Sequence, residues 1–163
     1  MDNIRWKQRF TNLEKALRKL ERGLQIFDYK DFIEKREFLR SSTKNDDNDQ
    51  ILLKLEELDL EREGIIQRFE YTYELFVNTM KDFMEFHGEP RENFKGSRTI
   101  LSLALQKGII EDHDNWRKMV QSRNDMSHTY NEEIADEVTA NIIHIYFPLM
   151  QKLYGYLKKE YDK

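Results

Sequence analysis

The chain has no cysteine, and among 163 residues only two prolines (Pro90 and Pro148) and six glycines. Lack of cysteine excludes a disulfide framework and any thiolate chemistry, and is compatible with a cytoplasmic address. Scarce Pro and Gly leave long uninterrupted stretches, which suit helices. No apolar run approaches the roughly 18 residues a membrane-spanning helix needs. The opening MDNIRWKQRF is charged and periodic, unlike a signal peptide. There is no Gly-rich phosphate loop, no HExxH and no spaced set of metal ligands, so neither metal nor cofactor is expected.

What the chain does have is charge and aromatic bulk: 36% charged residues beside 39% hydrophobic ones. The length fits one domain, 1–163, with a real core. A net charge of −4 argues against a general nucleic-acid binder, because phosphate contacts need clustered Lys and Arg. That charge is uneven. Residues 44–63 (KNDDNDQILLKLEELDLERE) hold eight acids against three bases, and the remainder carries 24 bases and 23 acids. A local basic pocket fits within a near-neutral body.

Helical periodicity is clearest over residues 4–27. Trp6, Phe10, Leu13, Leu17, Leu20, Leu24 and Phe27 advance by alternating steps of four and three, an amphipathic helix with a coiled-coil-like seam. YKDFIEKREFLR either prolongs that helix or forms a short second one. SSTKNDDNDQ lacks bulky apolar residues and predicts an exposed loop. Helical composition resumes at ILLKLEELDLERE, is interrupted at Gly64, where close helix approach is possible, and continues through Ile65, Ile66, Phe69, Tyr73, Phe76, Met80 and Phe83. HGEPRENFKGSR ends it. A further helix is predicted from Arg98 to Lys107 with Gly108 as a left-handed cap, and another begins at Asp112 to Asp114 and carries Trp116, Met119 and Val120. The last starts after the N-cap Asn131, where Glu132 and Glu133 suit the positive dipole end. Pro148 should kink it or shift its hydrogen bonding. His144, between Ile143 and Ile145, is expected to be structural. The fold class is all-α, an antiparallel up-and-down bundle of four to five helices. The seam of the first helix and the aromatic 65–83 segment offer more apolar surface than a four-helix monomer buries, which predicts a homodimer.

The stretch RNDMSHTYNEE, residues 123–133, concentrates hydrogen-bonding side chains at one helix junction. Histidine titrates near neutral pH and arginine presents a fork matched to phosphate, so Arg123 and His128 form a minimal kit for binding or cleaving a phosphodiester. Helix geometry resists this: positions five apart differ by roughly 140°, whereas Asn124 and His128 share a face. Arg123 meets His128 if the helix ends between them, if the arginine curls round, or if a second subunit supplies the partner. The bland alternative is that these groups cap and bury the junction.

Four segments in order, WKQRFTNLEKAL at 6–17, IIQRFEYTYEL at 65–75, GSRTILSLALQKGII at 96–110 and W-x2-M…RNDMSHTYNEEIA at 116–135, resemble the HEPN superfamily. The branch they resemble is that of the nucleotidyltransferase substrate-binding proteins, helical partners of minimal nucleotidyltransferases (MNT). The resemblance covers most of the chain and leaves about 30–58 as an atypical insertion. It implies a signature of Arg123, four residues, His128, Thr129 and Tyr130. In ribonuclease members of HepT type, the resemblance implies metal-independent RNA cleavage. His128 then moves the proton of a 2′-hydroxyl, Arg123 stabilises phosphate charge, and Asn124 orients the pair. Such members are homodimeric toxins with two signatures lining one cleft. Their MNT antitoxin transfers AMP to the trailing tyrosine, here Tyr130. The family label implies an alternative, a noncatalytic subunit that holds a nucleotide substrate for its partner.

Overall fold

The computed structural model describes residues 2–42, 49–128 and 131–163, and side chains within 4–42, 49–126 and 131–163. The described residues contain helices and no strand: α1 (Asp2–Ile26), α2 (Tyr29–Ser42), α3 (Asp49–Phe86), a 3-10 turn (Arg91–Asn93), α4 (Ser97–Gln106), α5 (His113–His128), α6 (Glu132–Asn141) and α7 (Phe147–Tyr161). A π-helical turn (Ile142–Tyr146) joins α6 to α7 as one rod, giving six helices among the described residues rather than the four to five expected. None is long and apolar enough to cross a membrane.

The predicted seam is the centre of the core. Trp6, Phe10, Leu13, Leu17 and Leu20 are buried, and Leu24 and Phe27 pack against its edge. They meet α3 antiparallel: Trp6 contacts Phe83 edge to face at 5.1 Å, while Gly23 lies beside Ile65 and Arg68. Helix α5 runs antiparallel to α3 through Phe76 and Trp116. The α6–α7 rod runs back along α3, through Phe69 and Tyr146 near its middle and Phe83 and Tyr156 near its end. Helices α1, α3, α5 and α6–α7 therefore alternate in direction, an up-and-down bundle. Burial of the seam and of Phe69, Tyr73, Phe76, Met80 and Phe83 within this bundle removes the surplus apolar surface that predicted a dimer. Dimerisation rests on the resemblance alone.

Several local expectations need correction. Gly64 does not interrupt α3, and a Cβ there would meet nothing within 4 Å. The close approach belongs to Gly23, whose Cβ would lie 2.9 Å from Arg68 Nη1. Of the loop expected over 41–50, Ser41 and Ser42 end α2, Asp49 and Gln50 begin α3, and 43–48 lie outside the described residues. Of the two forms expected for the segment after α1, it takes the second, the separate helix α2. His144 is exposed because the π turn directs it outward while Ile142 and Tyr146 turn inward.

Capping follows the sequence. Gly108 takes φ +73° after α4. Asp112 accepts the Asn115 backbone N–H at 3.2 Å and starts α5. Asn131 accepts from the N–H groups of Glu133 (2.9 Å) and Ile134 (3.2 Å) and starts α6. Pro148 sits in the first turn of α7, directly after the π turn. There the wider loop absorbs the amide hydrogen bond that proline cannot donate.

Candidate functional site

Helix α5 is amphipathic. Trp116, Met119 and Val120 face the core, and Ser122 shares a buried 2.6 Å hydrogen bond with the Tyr146 hydroxyl. Steps of three and four from Trp116 and Met119 lead to Arg123, which continues the same stripe where it leaves the core. Its side chain lies across α3, 28% exposed, and Nη2 donates to Glu74 Oε1 at 2.6 Å. Hydrogen bonding to Glu74 holds the guanidinium firmly protonated against the opposing effect of burial. Glu70, one turn before Glu74, has its carboxyl pushed above the ordinary range by burial, with Glu74 adding to the shift and Arg123 opposing it. The fixed cation is thus set in an acidic neighbourhood.

Asn124 is exposed, about 100° round the helix from Arg123. Helix α5 continues through His128, so of the three routes by which Arg123 could meet His128, a helix end between them does not hold. Their backbone positions keep the roughly 140° offset of an unbroken helix. The His128 side chain lies outside the described residues, as does Tyr130. Arg123 and Asn124 are therefore the signature side chains with an observed environment, and they leave α5 in different directions. Met126, one turn beyond Ser122, packs against the core and helps line a small open cavity with Ile66, Gln67, Glu70 and Ala135. Among the described residues there is no group of three or more His, Asp or Glu side chains able to hold a metal.

The junction is also held from its far side, by contacts that sequence reasoning missed. Asp136 accepts both Nη1 (2.9 Å) and Nη2 (2.8 Å) of Arg36, and Nη1 of Arg62 at 2.5 Å. Glu132, one turn earlier, accepts from Arg36 at 2.9 Å and from Arg40. Arg62 is fully buried and Arg36 nearly so. Both guanidinium groups lie over the ring of buried Phe32, at 5.4 and 5.1 Å. Tyr29 adds a hydrogen bond from its hydroxyl to the Asp136 backbone carbonyl at 3.2 Å. Burial works against the Asp136 carboxylate, but hydrogen bonding and charge from Arg36, reinforced by Arg62, hold its pKa below the ordinary 3.8. Helices α2 and α3 thereby clamp the first turns of α6, immediately after the signature. The i, i+4 pair Glu132 and Asp136, together with Arg62 standing between Glu61 and Glu63, was the available signal. Nothing local connects them.

Residues 8–159 match the family model described as nucleotidyltransferase substrate binding protein like. Over 81 residues the chain is 37% identical to a protein named probable ribonuclease HepT from Haemophilus influenzae. That match covers 48% of this chain and 56% of the relative, so it spans little more than half of the relative's length. A crystal structure of a protein from Thermus thermophilus superposes with a TM-score of 0.51 at 25% identity, covering 77% of this chain and 98% of that one.

Proposed function

Because the chain belongs to the nucleotidyltransferase substrate-binding protein-like family and is homologous to a probable ribonuclease HepT, we propose that it is a metal-independent ribonuclease, the toxin of a HEPN–MNT pair. The observation that carries this is Arg123. It is a fixed cation on the second half of α5, partly open to solvent, within the arginine-to-histidine spacing of the signature. His128 accepts the proton of an RNA 2′-hydroxyl. The 2′-oxygen attacks the adjacent phosphorus, and the 5′-oxygen leaves with a proton. The products are a 2′,3′-cyclic phosphate and a free 5′-hydroxyl. Arg123 neutralises the charge that builds on the phosphoryl oxygens. Asn124 orients the pair. A second copy across a twofold axis supplies the facing signature, which answers the 140° offset. An MNT partner silences the site by moving AMP from ATP to the Tyr130 hydroxyl with loss of pyrophosphate. The modification adds bulk and negative charge where RNA phosphate would lie.

The family's description favours a second reading, a noncatalytic subunit that presents a nucleotide to its nucleotidyltransferase. One assay divides the two. Purified wild type, Arg123→Ala and His128→Ala are incubated with a labelled RNA in the presence of chelator. Cleavage by wild type alone, ending in cyclic phosphate, supports the ribonuclease; an inert wild type leaves only the binding subunit. Incubation with the MNT partner and ATP should add one adenylate to wild type and none to Tyr130→Phe, and an adenylate on the phenylalanine variant would refute the assignment.

A further inference from the structure

Away from the signature, α2 and α3 lie antiparallel and leave a groove between them that the ribonuclease reading does not use. Two adjoining cavities of about 470 Å³ each make it up, and they share Asp31, Lys35 and Glu61. The groove follows α3 from Lys54 to Arg68, about 21 Å at 1.5 Å per residue, the length of about four helical turns. Its exposed apolar side chains are large. Phe38 is 72% exposed, Leu60 59% and Ile26 85%, and all three line it. Single exposed hydrophobics are ordinary, but three along one groove are not.

Charge decides what fits there. The lining carries five acids (Asp28, Asp31, Glu34, Glu57 and Glu61) against Lys35, Lys54 and Arg68. Lys35 and Asp31 pair at 2.8 Å and cancel, which leaves four acids against Lys54 and Arg68, and Arg68 is tied by a hydrogen bond to the Lys19 carbonyl. A second copy docking through this face would set the acidic rim against its own twin, because a twofold interface joins like patches. Residues 43–48 read TKNDDN and have no apolar side chain with which to cover it.

We infer that the α2–α3 groove is a docking surface for a basic amphipathic helix of a partner protein, with apolar side chains seated between Phe38, Leu60 and Ile26 and lysines or arginines meeting Glu57 and Glu61. This stands apart from the ribonuclease reading. The test uses two labelled 18-residue helical peptides with the same leucine face, one lysine-rich and one glutamate-rich, followed by fluorescence anisotropy at physiological salt. The lysine peptide binds the wild-type chain, and the glutamate peptide binds at least about tenfold more weakly. Phe38→Asp with Leu60→Asp weakens the lysine peptide about tenfold or more, as does Glu57→Lys with Glu61→Lys. The first pair is exposed, so the melting temperature should hold, which separates lost binding from lost folding. Reversing two distant exposed acids, Glu92→Lys with Glu111→Lys, leaves binding unchanged. Equal loss in that control, or equal binding of both peptides, would reduce the effect to general charge attraction and overturn the proposal. Conversion of a dimer to a monomer by Phe38→Asp with Leu60→Asp, seen by light scattering, would overturn it in favour of a second copy.

Discussion

Replacing Asp136 by asparagine should destabilise the protein more than any other exposed-to-half-buried change at the junction. The carboxylate holds three guanidinium contacts, from Arg36 twice and from Arg62 once, and the Arg62 side chain has no exposure to solvent. An amide keeps the shape, removes the negative charge and offers one acceptor oxygen in place of two. Breaking a buried pair by removing one partner costs about 3–5 kcal/mol, because the remaining cation keeps its desolvation penalty. Asp136 is itself 25% exposed and Glu132 stays behind to share Arg36, which places the cost near 3 kcal/mol. For a chain of this size that lowers Tm by about 6–12 °C. The sign of the pH dependence follows from the depressed pKa of Asp136. Its stabilisation is complete above the unfolded value of 3.8 and is lost as pH falls through the lower folded value, so the gap between variant and wild type closes on acidification. Circular dichroism melts at pH 7 and below pH 4 measure both. A shift under about 2 °C at pH 7, or a gap that widens in acid, would show that the ion cluster is not what holds α2 and α3 to α6.

Three further outcomes test other parts of the structure. Gly64→Ala should raise stability by about 0.5–1 kcal/mol, since its Cβ meets open space in mid-helix; a chemical denaturation curve shifted the other way would contradict the uninterrupted α3. Asn131→Ala should cost about 1 kcal/mol by leaving the Glu133 and Ile134 amides without their cap, and an unchanged midpoint would mean α6 does not begin there. Glu74→Gln removes the acid paired with Arg123, so RNA should bind more tightly and with a steeper salt dependence. Binding that weakens instead would make Glu74 a holder of the productive arginine rotamer.

The parts of this structure legible in the sequence are those that repeat over one or two helical turns. The α1 seam, the aromatic face of α3, the Asn131 cap and the proline-linked disturbance in the last helix all depend on residues within about seven positions of each other. The ion cluster is not legible there because Arg36 and Asp136 are 100 positions apart, and Arg62 reads locally as one more charge in an acidic run. Periodicity undercounts the helices for a related reason. The polarity of 41–50 suggests a loop of that length, whereas its ends are helical because polar residues are tolerated wherever a helix face meets water.

Arg123 shows why the site itself resists reading from either source alone. Its spacing from Trp116 and Met119 makes it a member of the core-facing stripe that Met126 continues, so helix geometry alone explains its position over α3. An apolar residue would have completed that stripe with no need of Glu74. A guanidinium at the same place is met instead by the Glu74 carboxylate, itself 52% exposed, in a pair that solvent screens. By contrast, Arg36 and Arg62, buried against Asp136, are locked in place. The chain thus contains arginines in two settings, one buried against Asp136 beside the α5–α6 junction and one left partly open at position 123.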